Sequence, residues 1–125
     1  IVLLCDDEQH VVGDCGSGVA VWFCMSGRER GFSGQAQLSI TDGERFVGRP
    51  CATQRWHAVE IKIDWNAKSV NLWVDGILAS DKLGMSVPFR DTSVEFVSSV
   101  KLTGKDAAQV WFGPFEFLGN KDADM

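Results

Sequence analysis

The stretch from Trp56 to Gly76 constrains the fold of this 125-residue chain more than any other part of it. Two runs in which apolar and polar residues alternate are separated by the polar turn sequence 66–69. Because successive side chains of a β-strand point to opposite faces, this alternation predicts an antiparallel hairpin that buries one face. The dipeptide Asp75-Gly76 predicts a tight turn into a third short strand. The apolar positions predicted to share the buried face are Val59, Ile61, Ile63, Val70, Leu72 and Val74.

Further short apolar runs follow one another along the chain, with glycine and aspartate residues between most of them. Many short strands with turn signals between them predict an all-β fold, a two-sheet antiparallel β-sandwich. No long stretch shows the apolar period of an amphipathic helix. The predicted strands cover 1–5, 18–25, 35–41, 44–48, 56–64, 69–74, 77–80, 93–102 and 107–118.

Several aromatic residues are predicted to be buried because they lie in or at the start of predicted strands. Trp22 and Trp56 are assigned to the core on this basis. In the last predicted strand Pro114 interrupts the hydrogen-bonding ladder, which indicates a bulge or an edge position. The positions of that strand predicted to point inward are Val110, Phe112, Phe115 and Phe117.

The composition, 45% hydrophobic and 23% charged, is that of an ordinary globular protein. The length suits one domain, assigned to 1–119, and the polar residues 120–125 are predicted to be a linker or tail to a following domain. A formal net charge of −5 argues against nucleic acid as a partner, since phosphate binding requires clustered lysine and arginine. No apolar run approaches about 18 residues, so no membrane insertion is expected. The chain opens directly on a strand without Met, and we therefore expect a segment of a longer protein.

Four cysteines, Cys5, Cys15, Cys24 and Cys51, lie in the first half of the chain. An even number in a small β domain favours two disulfides and an oxidising compartment, and hence an extracellular or cell-surface location. Three pairings are possible, and the preferred one joins Cys5 to Cys15 and Cys24 to Cys51. The alternatives are four reduced cysteines in an intracellular protein and, disfavoured by the spacing, a zinc site.

The hairpin segment resembles laminin-G-like, concanavalin-A-like jelly rolls. The resemblance lies in a Trp that opens the strand, Asp64 that ends it, and a following strand that finishes in Val74-Asp75-Gly76. Similar strands of that family begin at residues 19, 35 and 108, so the resemblance extends over 18–118. It implies a concanavalin-like jelly roll, a fold that serves lectins, adhesion modules, hydrolases and inert spacers alike. The chain is shorter than most full domains of this kind.

Hydrolases with this architecture carry acids in the order Glu-x-Asp-x-Glu on one strand face, one acting as nucleophile and another as acid. The nearest match here is Glu60-Ile61-Lys62-Ile63-Asp64, in which Lys62 replaces the middle acid and the third acid is absent. We therefore predict that Glu60, Lys62 and Asp64 form a solvated face and that the chain is not an enzyme.

One short loop concentrates acidic residues and is a candidate calcium site. Asp6, Asp7 and Asp14 lie between the first two cysteines, and carboxylate oxygens are the ligands that Ca²⁺ prefers. The alternative is a solvated acidic loop. In laminin-G-like modules a calcium site at the rim uses loop acids, and the resemblance makes Asp42 and Asp91 candidates for that role. Ca²⁺ is the one cofactor that these residues suggest.

Two further groups of residues are candidates for ligand recognition. By alternation Trp73 and Asn71 lie opposite the buried face of their strand, and Trp111 lies opposite the inward positions of the last strand. An exposed indole stacks on sugar rings. The alternative, which is favoured, is that the indoles of Trp73 and Trp111 pack under the other sheet or under loops. A glycine-flanked loop carries Arg28, Arg30 and Phe32, residue types common in interfaces; the alternative is a solvated hairpin tip. The loop and sheet-face candidates are Trp73, Asn71, Trp111, Arg28, Arg30 and Phe32.

These features together predict a non-catalytic extracellular recognition or adhesion module of a larger cell-surface or secreted protein. It is expected to bind a protein or glycan partner through its loops and one sheet face, and to adjoin neighbouring domains of the parent chain. One alternative is a structural packing module without a ligand of its own. A carbohydrate-active enzyme is the other alternative, and the missing carboxylate motif disfavours it.

Overall fold

The structure is a computed structural model that describes residues 1–5, 18–26, 35–80, 84–102 and 112–118. Over these ranges the chain is all-β, with two antiparallel sheets of five and four strands. The described part of the chain holds no helix that could cross a membrane. The strands are β1 (Val2–Cys5), β2 (Val19–Ser26), β3 (Gln35–Thr41), β4 (Phe46–Ala52), β5 (Val59–Asp64), β6 (Ser69–Val74), β7 (Ile77–Leu78), β8 (Ser86–Pro88) and β9 (Ser99–Leu102).

The five-stranded sheet has the order β4-β3-β2-β1-β9, with antiparallel neighbours throughout. The first four strands of the chain therefore form a meander, and β9 returns from the far end of the sequence to pair with β1. In β4 a side chain at Gly48 would meet the backbone, because a Cβ there would lie 2.3 Å from the Leu38 carbonyl oxygen. Glycine at this position lets β3 and β4 approach each other.

The four-stranded sheet is built around the predicted hairpin. β5 pairs with one side of β6 in register Ile61 to Leu72, and β7 and β8 pair with the other side, one after the other along it. The β6–β7 turn uses Asp75 and Gly76 with φ of 51° and 81°, the left-handed backbone that a two-residue hairpin turn requires. The structure thus confirms the hairpin and the tight turn that follows it.

The main core lies between the two sheets, where β6 packs over β3 and β4. Val70, Leu72 and Val74 of β6 are buried, as predicted. Their partners in β5 are less covered, because β5 lies outside this overlap: Val59 is 42% exposed, and Ile61 is half-buried. The buried members of the core are Val2, Ala20, Val21, Phe23, Leu38, Ile40, Val47, Val70, Leu72, Val74, Ala79, Val87, Phe89 and Val94.

A second apolar cluster lies on the outer face of the five-stranded sheet. Leu3, Cys5 and Val19 are buried there, and Ile1 and Trp22 pack against them. Trp22 is therefore a packing residue, as predicted, but it belongs to this outer cluster rather than to the core between the sheets. Since alternate residues of one strand face opposite sides, a strand such as β2 supplies both clusters.

Three features of the fold differ from the sequence prediction. The predicted strand 93–102 forms a strand only in its last four residues, as β9, and β8 was not predicted. Trp56, predicted to be buried, is 72% exposed, because it precedes β5 and lies outside the region where the sheets overlap. Residues 112–118 form no strand, and the phenylalanines predicted to point inward are exposed. Those residues are Phe112, Phe115 and Phe117.

The predicted Cys24–Cys51 disulfide is wrong. Cys24 lies in β2 and Cys51 in β4, with β3 running between these two strands. Two strand spacings amount to about 9–10 Å, whereas a disulfide requires Cα atoms within about 7 Å of each other. No disulfide joins any two of Cys5, Cys24 and Cys51 in the described residues, and Cys15, the predicted partner of Cys5, lies outside them.

Candidate functional site

Trp73, predicted from the sequence to lie opposite the buried face of its strand, is on the outer face of the four-stranded sheet. Trp73 of β6 is half-buried and stands between Glu60 of β5 and Leu78 of β7 in the sheet register. The Lys62 Nζ atom lies 4.9 Å from the centroid of the Trp73 ring, a cation–π contact. The ring therefore combines an apolar surface with an adjacent positive charge.

Asn71 lies on the same face, one pleat away from Trp73, and β8 fixes its side chain. The Asn71 Nδ2 donates a hydrogen bond of 3.2 Å to the Met85 carbonyl, and the Ser86 hydroxyl donates one of 3.3 Å to the Asn71 Oδ1. An amide has two N–H groups and two acceptor lone pairs, so within the described residues these two bonds leave Asn71 one donor and one acceptor position for a ligand. The face can therefore bind a polar ring by stacking and hydrogen bonding.

The acidic residues of β5 do not form an acid–base pair on this face. Glu60 and Asp64 are exposed, and Lys62 stands between them in the strand. The Asp64 Oδ1 accepts hydrogen bonds of 3.0 Å from the backbone N–H groups of Asn66 and Ala67, so this carboxylate closes the β5–β6 turn. This geometry supports the prediction that the β5 residues form a solvated face.

His57 and Asp75 form a polar contact that links the two sheets. The His57 Nδ1 is 2.7 Å from the Asp75 Oδ2, and its Nε2 is 2.7 Å from the Ala52 carbonyl at the end of β4. Both partners are acceptors, so both ring nitrogens must carry a proton. The hydrogen bond to Asp75 and the one to Ala52 raise the pKa of His57, and hydrogen bonds from His57 and the Ala58 N–H lower the pKa of Asp75. Since neither nitrogen is available as a base, this pair is a structural clasp.

Exposed aromatic side chains lie at position 56, next to His57 in the sequence, and along residues 112–118. We call Trp56, Phe112, Phe115 and Phe117 the aromatic surface. The Trp56 Cζ3 lies 4.0 Å from the point where a Cβ on Gly113 would stand, so the indole borders the 112–118 segment. Phe112 and Phe115 stack with ring centroids 5.8 Å apart.

The far end of the aromatic surface borders β9. Phe117 lines a shallow cavity of about 200 Å³ together with residues 97–100. Phe117 is 65% and Phe115 51% exposed, and the neighbouring Leu118 is exposed as well. Exposed apolar side chains that cluster along one short segment, as these do along 112–118, mark interaction sites more often than scattered single residues do.

Most of the other predicted site residues lie outside the described ranges. They are Asp6, Asp7, Asp14, Arg28, Arg30, Phe32 and Trp111.

The described loop acids are engaged in local hydrogen bonds. Asp91 accepts bonds from the Ser93 hydroxyl at 2.6 Å and from the Gly18 N–H at 2.7 Å, and these bonds lower its pKa. Asp42 accepts from the N–H groups of Glu44 and Arg45. Within the described residues no three side chains of the metal-binding types come together.

Strand alternation placed Trp73 and Asn71 on the face opposite the core, as the structure has them, but sequence reasoning missed the aromatic surface. Alternation located Trp73 because it depends only on the strand period. The signal for the aromatic surface was present in Gly113 and Pro114, two residues that weaken a strand and allow the phenylalanines beside them to stay outside the ladder.

Comparisons with known proteins give no relative for this chain. No family model matches the sequence, and neither curated proteins nor solved structures give a significant match.

Proposed function

We propose that this chain is a non-catalytic recognition module of a larger extracellular or cell-surface protein, with a concanavalin-like jelly-roll sandwich, and that it binds a protein partner. The aromatic surface carries this proposal. Tryptophan and other aromatic side chains dominate the binding energy of protein interfaces because they bury a large area with few rotatable bonds.

Without a partner, much of the aromatic surface is exposed to water. Trp56 is 72% exposed, so most of its surface contributes nothing to the core. Apolar area removed from water yields about 25 cal/mol per Å². A partner that covers this indole and the stacked Phe112 and Phe115 gains that energy without further folding of the strands. Recognition through a loop segment and adjoining strand ends agrees with the predicted role of loops in this chain.

A binding comparison of variants tests the proposal. The purified chain, fluorescently labelled, is applied to a panel of cultured cells and extracellular matrix preparations. We expect saturable binding that Trp56→Ser and Phe115→Ser each reduce at least tenfold. Phe46→Ser is the matched control. Phe46 is also exposed, but it lies at the first residue of β4, and Trp56 follows the last residue of that strand, so the two side chains are at opposite ends. Equal loss in all three variants, or no saturable binding, would contradict the proposal.

A glycan ligand is the second candidate, and the outer sheet face carries it. Trp73 offers a stacking surface, Asn71 keeps free hydrogen-bonding positions, and Lys62 supplies a positive charge. A glycan array, probed with calcium and again with a chelator, tests this candidate. Binding that Trp73→Ala abolishes and Trp65→Ala spares supports it. Loss of binding on chelation supports the proposed calcium site of Asp6, Asp7 and Asp14, and a silent array under both conditions contradicts the glycan candidate.

Two measurements separate this proposal from its alternatives. A structural packing module would be prone to aggregation when isolated from its neighbouring domains, whereas a recognition module remains monodisperse at low concentration. A thiol count under denaturing, non-reducing conditions tests the extracellular location. Fewer than four reactive thiols supports an oxidising compartment, and four reactive thiols contradicts it.

A further inference from the structure

Strand β5 forms one edge of the four-stranded sheet, and its hydrogen-bonding pattern can be assigned. The Asp75 N–H donates to the Ala58 carbonyl at 2.8 Å, in the register that pairs β5 with β6. Hydrogen-bonded pairs alternate with non-bonded pairs along an antiparallel ladder. Glu60 and Lys62 therefore direct their backbone groups toward β6, and the alternate residues 59, 61 and 63 direct theirs away from the sheet.

The outer edge of β5 has no strand beside it in the described part of the chain. The N–H and C=O groups of Val59, Ile61 and Ile63 thus face outward, and the side chains of the same residues are only partly covered. Val59 is 42% exposed, since β6 and not β5 lies over the other sheet. An edge with unpaired backbone groups and accessible apolar side chains is a template for another strand.

Other edges of the two sheets are protected in ways that β5 is not. Edge strand β4 contains Pro50, which cannot donate to a ladder, and β7 and β8 have only two and three residues. β9, the other edge of the five-stranded sheet, has four residues, and Phe117 lies beside Ser99 and Val100. β5 is six residues long and contains no proline. The contrast identifies β5 as the edge best suited to pairing.

We propose that β5 pairs with β5 of a second copy of this chain, antiparallel and centred on Ile61, to form a two-fold symmetric dimer with a continuous sheet. In this register Ile61 of the two copies exchange hydrogen bonds, and Val59 of each copy exchanges them with Ile63 of the other. All three outward-facing residues are satisfied. Their apolar side chains lie on the same face and extend the core side of the sheet across the dimer axis.

The charged side chains of β5 favour a second copy of the same strand as the partner, in this register. On the opposite face, Glu60 of each copy stands directly across from Lys62 of the other in a non-hydrogen-bonded pair, where side chains approach most closely. A shift of two residues one way places Glu60 opposite Glu60, and a shift the other way places Lys62 opposite Lys62 and Glu60 opposite Asp64. A one-residue shift mismatches the hydrogen-bonding groups. The strand is therefore complementary to itself in one register.

Sedimentation equilibrium of the chain over a range of concentrations tests the proposal, with charge reversals as variants. Glu60→Lys and Lys62→Glu each create two like-charge contacts by symmetry, so each is expected to raise the dimer dissociation constant at least about tenfold. Their equimolar mixture is expected to restore dimers as heterodimers, because opposite charges face each other again. Glu44→Lys, a charge reversal at an exposed site in the β3–β4 turn, is the matched control and is expected to leave dimerisation unchanged.

Amide hydrogen exchange of the unmodified chain provides a second test that does not depend on variants. We expect exchange of the amides of residues 59, 61 and 63 to slow with increasing protein concentration, while those of 60 and 62 are protected at all concentrations by β6. A chain that stays monomeric at millimolar concentration overturns the proposal. So does a dimer that both single reversals leave intact, or one that the mixture fails to restore.

Discussion

Phe89 lies in the core and Phe115 in the aromatic surface, so truncating each of them is the sharpest test of where the boundary between the two lies. Phe89 is 2% exposed, packs in the core between the sheets, and meets Trp65 edge-on with ring centroids 5.3 Å apart. Phe115 is 51% exposed and contacts Phe112. The same substitution, phenylalanine to alanine, therefore removes a buried ring in one case and a surface ring in the other.

The expected free energies of unfolding differ several-fold. Phe89→Ala removes a buried ring and leaves a cavity, which costs about 3–5 kcal/mol. Phe115→Ala removes half-solvated surface and one stacked pair, which costs less than about 1 kcal/mol. With a urea m-value of about 2 kcal/mol per molar, the midpoint falls by about 2 M for the first variant and by less than about 0.5 M for the second.

Urea unfolding followed by tryptophan fluorescence and far-UV circular dichroism measures both variants. Phe89→Leu, expected to cost less than Phe89→Ala because it leaves a smaller cavity, keeps the comparison possible if Phe89→Ala fails to fold. If Phe115→Ala lowers the midpoint as much as Phe89→Ala does, residues 112–118 belong to the core. The aromatic surface would then not exist.

Three individual contacts have measurable consequences. The pKa of His57 is raised above 6.5, so its contribution to the free energy of unfolding is complete below that pH and is lost as pH rises through the folded-state pKa. The pKa of Asp75 is lowered from 3.8, so its contribution is present above pH 3.8 and is lost as pH falls through the folded-state pKa. Thermal unfolding should therefore show stability falling from pH 6 to pH 9 in the unmodified chain, and His57→Gln should abolish that slope. Gly48→Ala should lower the free energy of unfolding by about 1–3 kcal/mol in urea, because the new Cβ would meet the Leu38 carbonyl oxygen. An unchanged urea midpoint would show that β3 and β4 are not so close at this position. Burial, together with the charge of Asp75, raises the pKa of the Cys51 thiol, so peptide mapping after alkylation at pH 8 should find Cys51 modified more slowly than an unfolded reference, and equal rates would contradict its partial burial.

The β5–β6 hairpin could be predicted from the sequence because its signals are local. The two-residue period of Val70, Leu72 and Val74 depends only on strand geometry, and Asp75-Gly76 has the composition of a left-handed turn. The positions of the first three strands also follow from local apolar runs and the glycines between them. These are the elements in which sequence and structure agree most closely.

The features that sequence reasoning missed depend on which strands lie side by side. Cys24 and Cys51 were paired in the prediction because nothing in the sequence reveals that β3 separates their strands. Trp56 opens a predicted strand, as a buried residue would, whereas the observed strand begins at Val59 and is offset from the other sheet, which leaves Trp56 in solvent. Phe115 follows the same pattern, since alternation identifies two faces of a segment without showing whether anything covers them.

The proposed function depends on a partner that covers the aromatic surface, and photo-crosslinking tests this most directly. The photoreactive residue p-benzoylphenylalanine replaces Phe115 in one variant and Phe46 in another, and each variant is irradiated on a panel of cultured cells and extracellular matrix preparations. We predict a discrete protein adduct from position 115 that excess unlabelled chain removes and excess Trp56→Ser chain does not, with no such adduct from position 46. Adducts of equal yield from both positions, or none from position 115, would contradict the account.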